Sequence, residues 1–152
     1  MSNDDDAVAI DALMLIVVGA HLRAEIHDRP LAQQLCDRLM QWQERSRASS
    51  DCPPAALRPV ICTDVWFLNN PELLERPVIA LGEPGVNAAT AYLSNRLPTA
   101  LVIDNQFRIH LDPEFLQAQA CVWGATPQAT ATAVEYFVER YLDAFMHEAG
   151  ET

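Results

Sequence analysis

Lysine is missing from this chain: all ten of its basic residues are arginine. That removes every mechanism built on a lysine amine, including Schiff bases, pyridoxal phosphate anchoring and the phosphate-gripping lysine of a P-loop. Cysteines are few and scattered. Cys36, Cys52, Cys62 and Cys121 form neither a CxxC pair nor a zinc-finger spacing, so reduced, buried thiols are expected and a metal site is not. None of the five serines sits in a G-x-S-x-G elbow. Cys52 and Arg58 match the C-x5-R spacing of phosphatases, but the residues between them lack the glycines that let backbone amides wrap a phosphate. The longest apolar run, residues 12–20, is too short to span a bilayer.

Positive charge is scarce as well. Twenty-one acids against ten arginines give a net charge of −11, which repels nucleic acid and anionic membrane surfaces, so neither is expected as a partner. The opening Met1-Ser2-Asn3-Asp4-Asp5-Asp6 lacks the basic start of a signal peptide. A cytoplasmic location follows as an expectation.

What remains is an ordinary core-forming composition: 152 residues, half of them hydrophobic and 22 of them alanine. One α/β domain over residues 11–152 is expected, after a flexible acidic lead-in over residues 1–10. Residues 13–18 read Leu-Met-Leu-Ile-Val-Val. Without polar alternation, that is a strand covered on both faces. Residues 59–63, 77–81 and 119–123 repeat the pattern. Leu31, Leu35, Leu39 and Trp42 set a helical stripe that fades near Ser46. The segment 64–76 holds one or two helical turns broken at Asn70-Pro71. Ala88 to Leu97 reads as a helix, and residues 100–103 and 107–111 as a β-hairpin. Thr126-Pro127 opens a last helix whose stripe runs from Val134 to Phe145.

Strands alternating with helices predict an α/β three-layer sandwich, with a mainly parallel, flavodoxin-like sheet and a β-hairpin at one edge. In such a sheet the segments leaving the strand C-termini meet at one rim, where ligands bind. Three of these segments matter here. After Gly19 comes a long charged stretch, His21 to Arg29, whose alternation suggests extended chain with Leu22, Ala24 and Ile26 tucked inward. Either Arg23 or Arg29 grips an anion with His21 moving a proton, or Arg23–Glu25 and Asp28–Arg29 pair internally. A metal site from His21, Glu25, His27 and Asp28 has no standard spacing. The second segment runs from Gly82 to Asn87. Gly85 either lets backbone amides approach an anion or allows close packing, and Asn87 caps the next helix. The third, Gly124 to Thr130, offers Thr126 as anion donor or as helix cap.

The second and third segments, Gly82-Glu83-Pro84-Gly85-Val86-Asn87 and Gly124-Ala125-Thr126-Pro127-Gln128-Ala129-Thr130, resemble turns of surface-layer and putative cell-wall-binding α/β domains. Those domains carry Gly-Gly-Pro-x-x-Asn and Gly-x-Thr-x-x-Gly-Thr. Glu83 stands here for the second glycine of the first turn, and Ala129 for the glycine before Thr130. The resemblance covers roughly residues 82–130 and implies the fold; as no secretion signal is expected, neither is a cell-surface role.

No complete catalytic constellation emerges. The reading is a non-catalytic, cytoplasmic homo-oligomer that binds a partner or a small anionic ligand at the C-terminal edge of its sheet through His21, Arg23, Arg29, Asp64, Gly85, Asn87 and Thr126. The apolar Val65-Trp66-Phe67-Leu68 stretch would cover the pocket or form an interface. The alternative is an enzyme on a small phosphorylated or carboxylated substrate, with His21 as general acid/base and Asp64 orienting it. No cofactor is expected; a flavin or nucleotide carrier rests on fold analogy alone.

Overall fold

A computed structural model describes residues 10–52, 56–103, 106–112, 114 and 117–151. The acidic lead-in (apart from Ile10), Pro53-Pro54 and the Asp104-Asn105 hairpin tip lie outside the described residues. Six strands form one mixed sheet: β1 (Leu13–Val18), β2 (Arg58–Thr63), β3 (Val78–Leu81), β4 (Thr99–Ile103), β5 (Phe107–Leu111) and β6 (Gln119–Gly124). Their order is β2-β1-β3-β6-β5-β4. The first four in that order are parallel neighbours. The β4–β5 hairpin pairs antiparallel to β6 and makes one edge, as expected.

Every residue of β1 and β3 is buried, which is what an unalternated apolar run requires. Met14, Ile16 and Val18 point into one core, Leu15 and Val17 into the other. The first core lies under α1 (Arg29–Ser49), α4 (Pro127–Arg140) and α5 (Leu142–Glu151); the second lies under α2 (Asp64–Leu68) and α3 (Ala88–Ser94). Two helical layers thus sandwich the sheet. At its opposite end the buried Arg76 guanidinium donates to the carbonyls of Leu13 and Asp11 and fixes the entry into β1.

β2, expected to be covered on both faces, is an edge strand and mostly half-buried, and two further expectations change. Residues 21–29 are not extended. They form a helical lead into α1 that widens to a π-turn over Ala24–Asp28, where the Arg29 N–H reaches the Ala24 carbonyl. The residue types explain it. Glu25 and Arg29 pair at i,i+4 with 3.0 Å between charges. Pro30 has no N–H for the carbonyl four residues back, and its ring would crowd that carbonyl in a regular turn. In a helix Leu22 and Ile26 share a face, and that face is outward: they are 74% and 58% exposed. Only Ala24 is tucked in. The second change is at Tyr141, whose φ of −123° separates α4 from α5, although the apolar stripe runs on through Leu142 and Phe145. The segment 64–76 does split at Asn70-Pro71, into α2 and a 3-10 turn over Pro71–Leu73. The described thiols are unbridged; Cys62 and Cys121 are buried as expected, whereas Cys36 is half-buried and Cys52 is exposed. Burial pushes Cys62 up to about 11 and Cys121 up to about 12, which disfavours the thiolate at both.

Candidate functional site

Glycine marks where the three segments meet. A Cβ on Gly19 would run into the Val86 carbonyl, so the chain leaving β1 lies directly against the turn after β3. Gly82, at the end of β3, has φ +106° and faces Asp28. Gly124, at the end of β6, packs on Ala129 in the first turn of α4. One side chain ties all three segments together: Arg23 donates from Nη1 to Glu83 Oε1 at 2.9 Å and from Nη2 to the Ala125 carbonyl at 3.4 Å. The turns after β3 and β6 therefore lie side by side. Gly85 has open space around its Cα, so close packing does not account for it.

Two buried polar side chains lock this rim. Asp64, at the start of α2, accepts the Ala20 and Val65 N–H groups on Oδ1 (3.0 and 2.8 Å) and the Ala88 N–H on Oδ2 (2.8 Å). It joins the exits of β1 and β2 to the start of α3. Asn87 donates to the carbonyls of Val17 and Leu81, and its Oδ1 accepts from Ala89 and Thr90. It is a helix cap and a strand tie at once. Thr126 caps α4 by accepting the Ala129 N–H. Thr130 accepts the Gly124 N–H at 3.0 Å.

The other expected site residues sit at the surface of the same rim. His21 accepts the Arg23 N–H on Nδ1; no hydrogen bond joins it to Asp64. Arg29 is one turn below on Glu25. The rim thus gathers His21, Arg23, Asp64, Gly85, Asn87 and Thr126, but as separate small networks. Internal pairing takes up both arginines, with partners other than those anticipated: Glu83 for Arg23 and Glu25 for Arg29.

Asp28, read from the sequence as a partner of Arg29 or a member of a metal-site candidate, has a different setting. The π-turn carries it over Gly82, where it is 6% exposed and its carboxylate accepts no hydrogen bond from the other described residues. Desolvation raises its pKa from 3.8 to about 6; Arg23 and His27 pull it down in part, and Glu83 pushes it up. With Arg23, His27, Glu83, Val86, Gly124, Thr126, Pro127 and Thr130 it lines a cleft of about 10 Å³, room for about one water. Two roomier hollows, about 340 and 330 Å³, lie along α1 and α4. Among the described residues no group of three or more His, Cys, Asp or Glu converges to hold a metal, and no helix is long and apolar enough to cross a membrane.

Outside the polar networks the rim is apolar. Leu22, Ile26, Val65 and Trp66 are four of the seven large hydrophobics exposed among the described residues, at 74, 58, 54 and 46%. They follow β1 and β2, which are neighbours. Phe67 and Leu68, in contrast, turn into the second core. No protein-family model matches the chain, and neither does any curated protein or solved structure.

Proposed function

We propose that this chain is a non-catalytic, cytoplasmic binding domain that docks a protein partner on the C-terminal rim of its sheet and self-associates. One observation carries the reading. Apart from the Asp28 carboxylate, the rim's principal polar groups are satisfied by one another, while Leu22, Ile26, Val65 and Trp66 face outward at the same edge. A surface whose polar atoms are internally paired and whose large side chains are bare has the make-up of an interface core. This favours a partner over the small anionic ligand: Arg23 and Arg29 already hold carboxylates, and the cleft beneath admits about one water-sized group. The enzyme reading has less behind it, since both Asp64 oxygens serve backbone N–H groups. Self-association is supported by the edge strand β4, whose five residues carry no charge.

The test places a photo-reactive residue at position 66 in one variant and at Met40, exposed on α1, in another. The first should cross-link a defined partner in cells, and the second should not. Leu22→Arg with Val65→Arg should abolish the cross-link without changing Tm. Equal labelling from both positions, or labelling that survives the arginines, would defeat the reading.

A further inference from the structure

We infer that the partner presents a lysine side chain, and that its ammonium enters the rim cleft to pair with the Asp28 carboxylate. The inference rests on the partner-binding reading above and names the chemistry of that partner.

Asp28 is more than nine-tenths buried and lines the cleft, makes no side-chain cap bond, and accepts no hydrogen bond from the other described residues. A carboxylate kept in that state is costly unless something pairs with it. The groups facing it come from every segment around the cleft. Arg23 and His27 are on its own helical turn, Glu83 is on the turn after β3, and the Thr126 and Thr130 hydroxyls are on the segment after β6. None completes it. The Arg23 guanidinium is bound to Glu83 and to the Ala125 carbonyl. Both threonine hydroxyls serve α4 and the end of β6. Arg23, Glu83 and Asp28 sum to one net negative charge, with His27 beside them, around a hollow sized for one small group. A divalent ion needs several oxygen ligands, and only this carboxylate is unengaged; an ammonium can pair with one carboxylate and keep its other N–H groups on water at the cleft mouth. Asp28 and Ala24 face inward on the helical turn whose outward face carries Leu22 and Ile26, so the cation reaches Asp28 from the cleft side, past Glu83 and Thr126, rather than through the apolar patch. The net charge of −11 draws a basic partner in from a distance.

The probe is N-acetyl-Leu-Lys-Leu-amide, with its acetyl-lysine counterpart as the neutral control. Rim amides and the Asp28 carboxyl carbon are followed by NMR on the whole chain. The lysine peptide should bind about tenfold more tightly than the control. By linkage it should also lower the Asp28 titration midpoint by about one pH unit. In Asp28→Asn, which keeps the shape of the side chain, the preference should vanish while the amide spectrum stays native. Equal binding of both peptides, a lysine preference that survives Asp28→Asn, or an unmoved midpoint would overturn the cation inference and leave apolar docking standing. If neither peptide moves the amides of residues 20–28 and 64–66, the docking reading itself falls.

Discussion

The Asp28 carboxylate occupies the space that a side chain on Gly82 would fill: Oδ2 lies 2.5 Å from where a Cβ at position 82 would stand. The backbone there has φ +106°, which a residue with a Cβ adopts only under strain. Conformation and occupancy thus require glycine for independent reasons. The exit of β3 and the π-turn before α1 are fitted to each other at this point.

Gly82→Ala should therefore cost roughly 2–4 kcal/mol, combining left-handed strain with overpacking. Asp28→Ala in the same chain should return about 1 kcal/mol of that loss, because it removes the collision but not the strain. Urea unfolding of the two single variants and the double variant measures the coupling. Strictly additive losses would mean that the two residues do not press on each other.

Asp28 also makes stability depend on pH in an unusual direction for a carboxylate. Its folded pKa, about 6, stands above the unfolded 3.8. The folded state therefore holds the proton more tightly, and stability is lost as pH rises from 3.8 through 6. Asp28→Asn should be more stable than the parent by about 3 kcal/mol at neutral pH and by about half that near pH 5. A gain that does not change with pH would point to packing rather than to the buried charge.

The sheet was legible because its strands say so in one way only. Leu13–Val18 and Val78–Leu81 are apolar at every position, and only burial on both faces accommodates that pattern. Thr126-Pro127 and Asn87 carry capping chemistry that their neighbours cannot supply, and both caps form. The lead into α1 was harder because Leu22 and Ile26 satisfy two periods at once. They alternate with polar residues, as in extended chain, and they also stand four apart, as on a helix face. Pro30 misleads in the same way: it usually marks a helix start, but here the π-turn lets the helix begin earlier. Asp28 then reads as a cap from its type and place, yet its side chain makes no cap bond. What makes it notable is burial over Gly82, a contact across 54 positions that local spacing does not encode. Glu83 shows the same limit, since its partner Arg23 lies 60 residues away.

Asp64 should behave as a structural tie with a readable signature. Its two oxygens accept three N–H groups from three segments. Asp64→Asn keeps one acceptor oxygen and turns an NH2 group toward the Ala88 N–H or the Ala20 N–H. The expected loss is about 2–3 kcal/mol, the size of a charge-assisted bond left unmade. Amide hydrogen exchange should accelerate at Ala20 and Ala88 together. Faster exchange at one site alone would show that the carboxylate does not couple the segments.

Edge chemistry separates the two ends of the sheet. β2 opens with an exposed Arg58 followed by Pro59, both of which discourage strand pairing. β4 reads Thr-Ala-Leu-Val-Ile, with Val102 42% exposed. Self-association through β4 predicts a dimer at micromolar concentration in sedimentation equilibrium, shifted to monomer by Val102→Lys. A Lys variant that remains dimeric would move the interface elsewhere, and a monomeric parent would remove the homo-oligomer altogether.

Thr126 and Thr130 look alike in the sequence and should differ in consequence. Thr126 Oγ1 accepts only the Ala129 N–H, at an exposed helix start, so Thr126→Ala should cost about 1 kcal/mol, an ordinary cap loss. Thr130 is 3% exposed, and its hydroxyl both accepts the Gly124 N–H and donates to the Gly124 carbonyl. Thr130→Val preserves the shape but strands that N–H in a dry environment, at a cost of about 1–3 kcal/mol. Gly124 lines the cleft beside Asp28, so the valine variant should also shift the Asp28 carboxyl resonance, and the Thr126→Ala variant should do so less. If both threonines cost the same and neither reaches Asp28, the end of β6 does not take part in shaping the cleft.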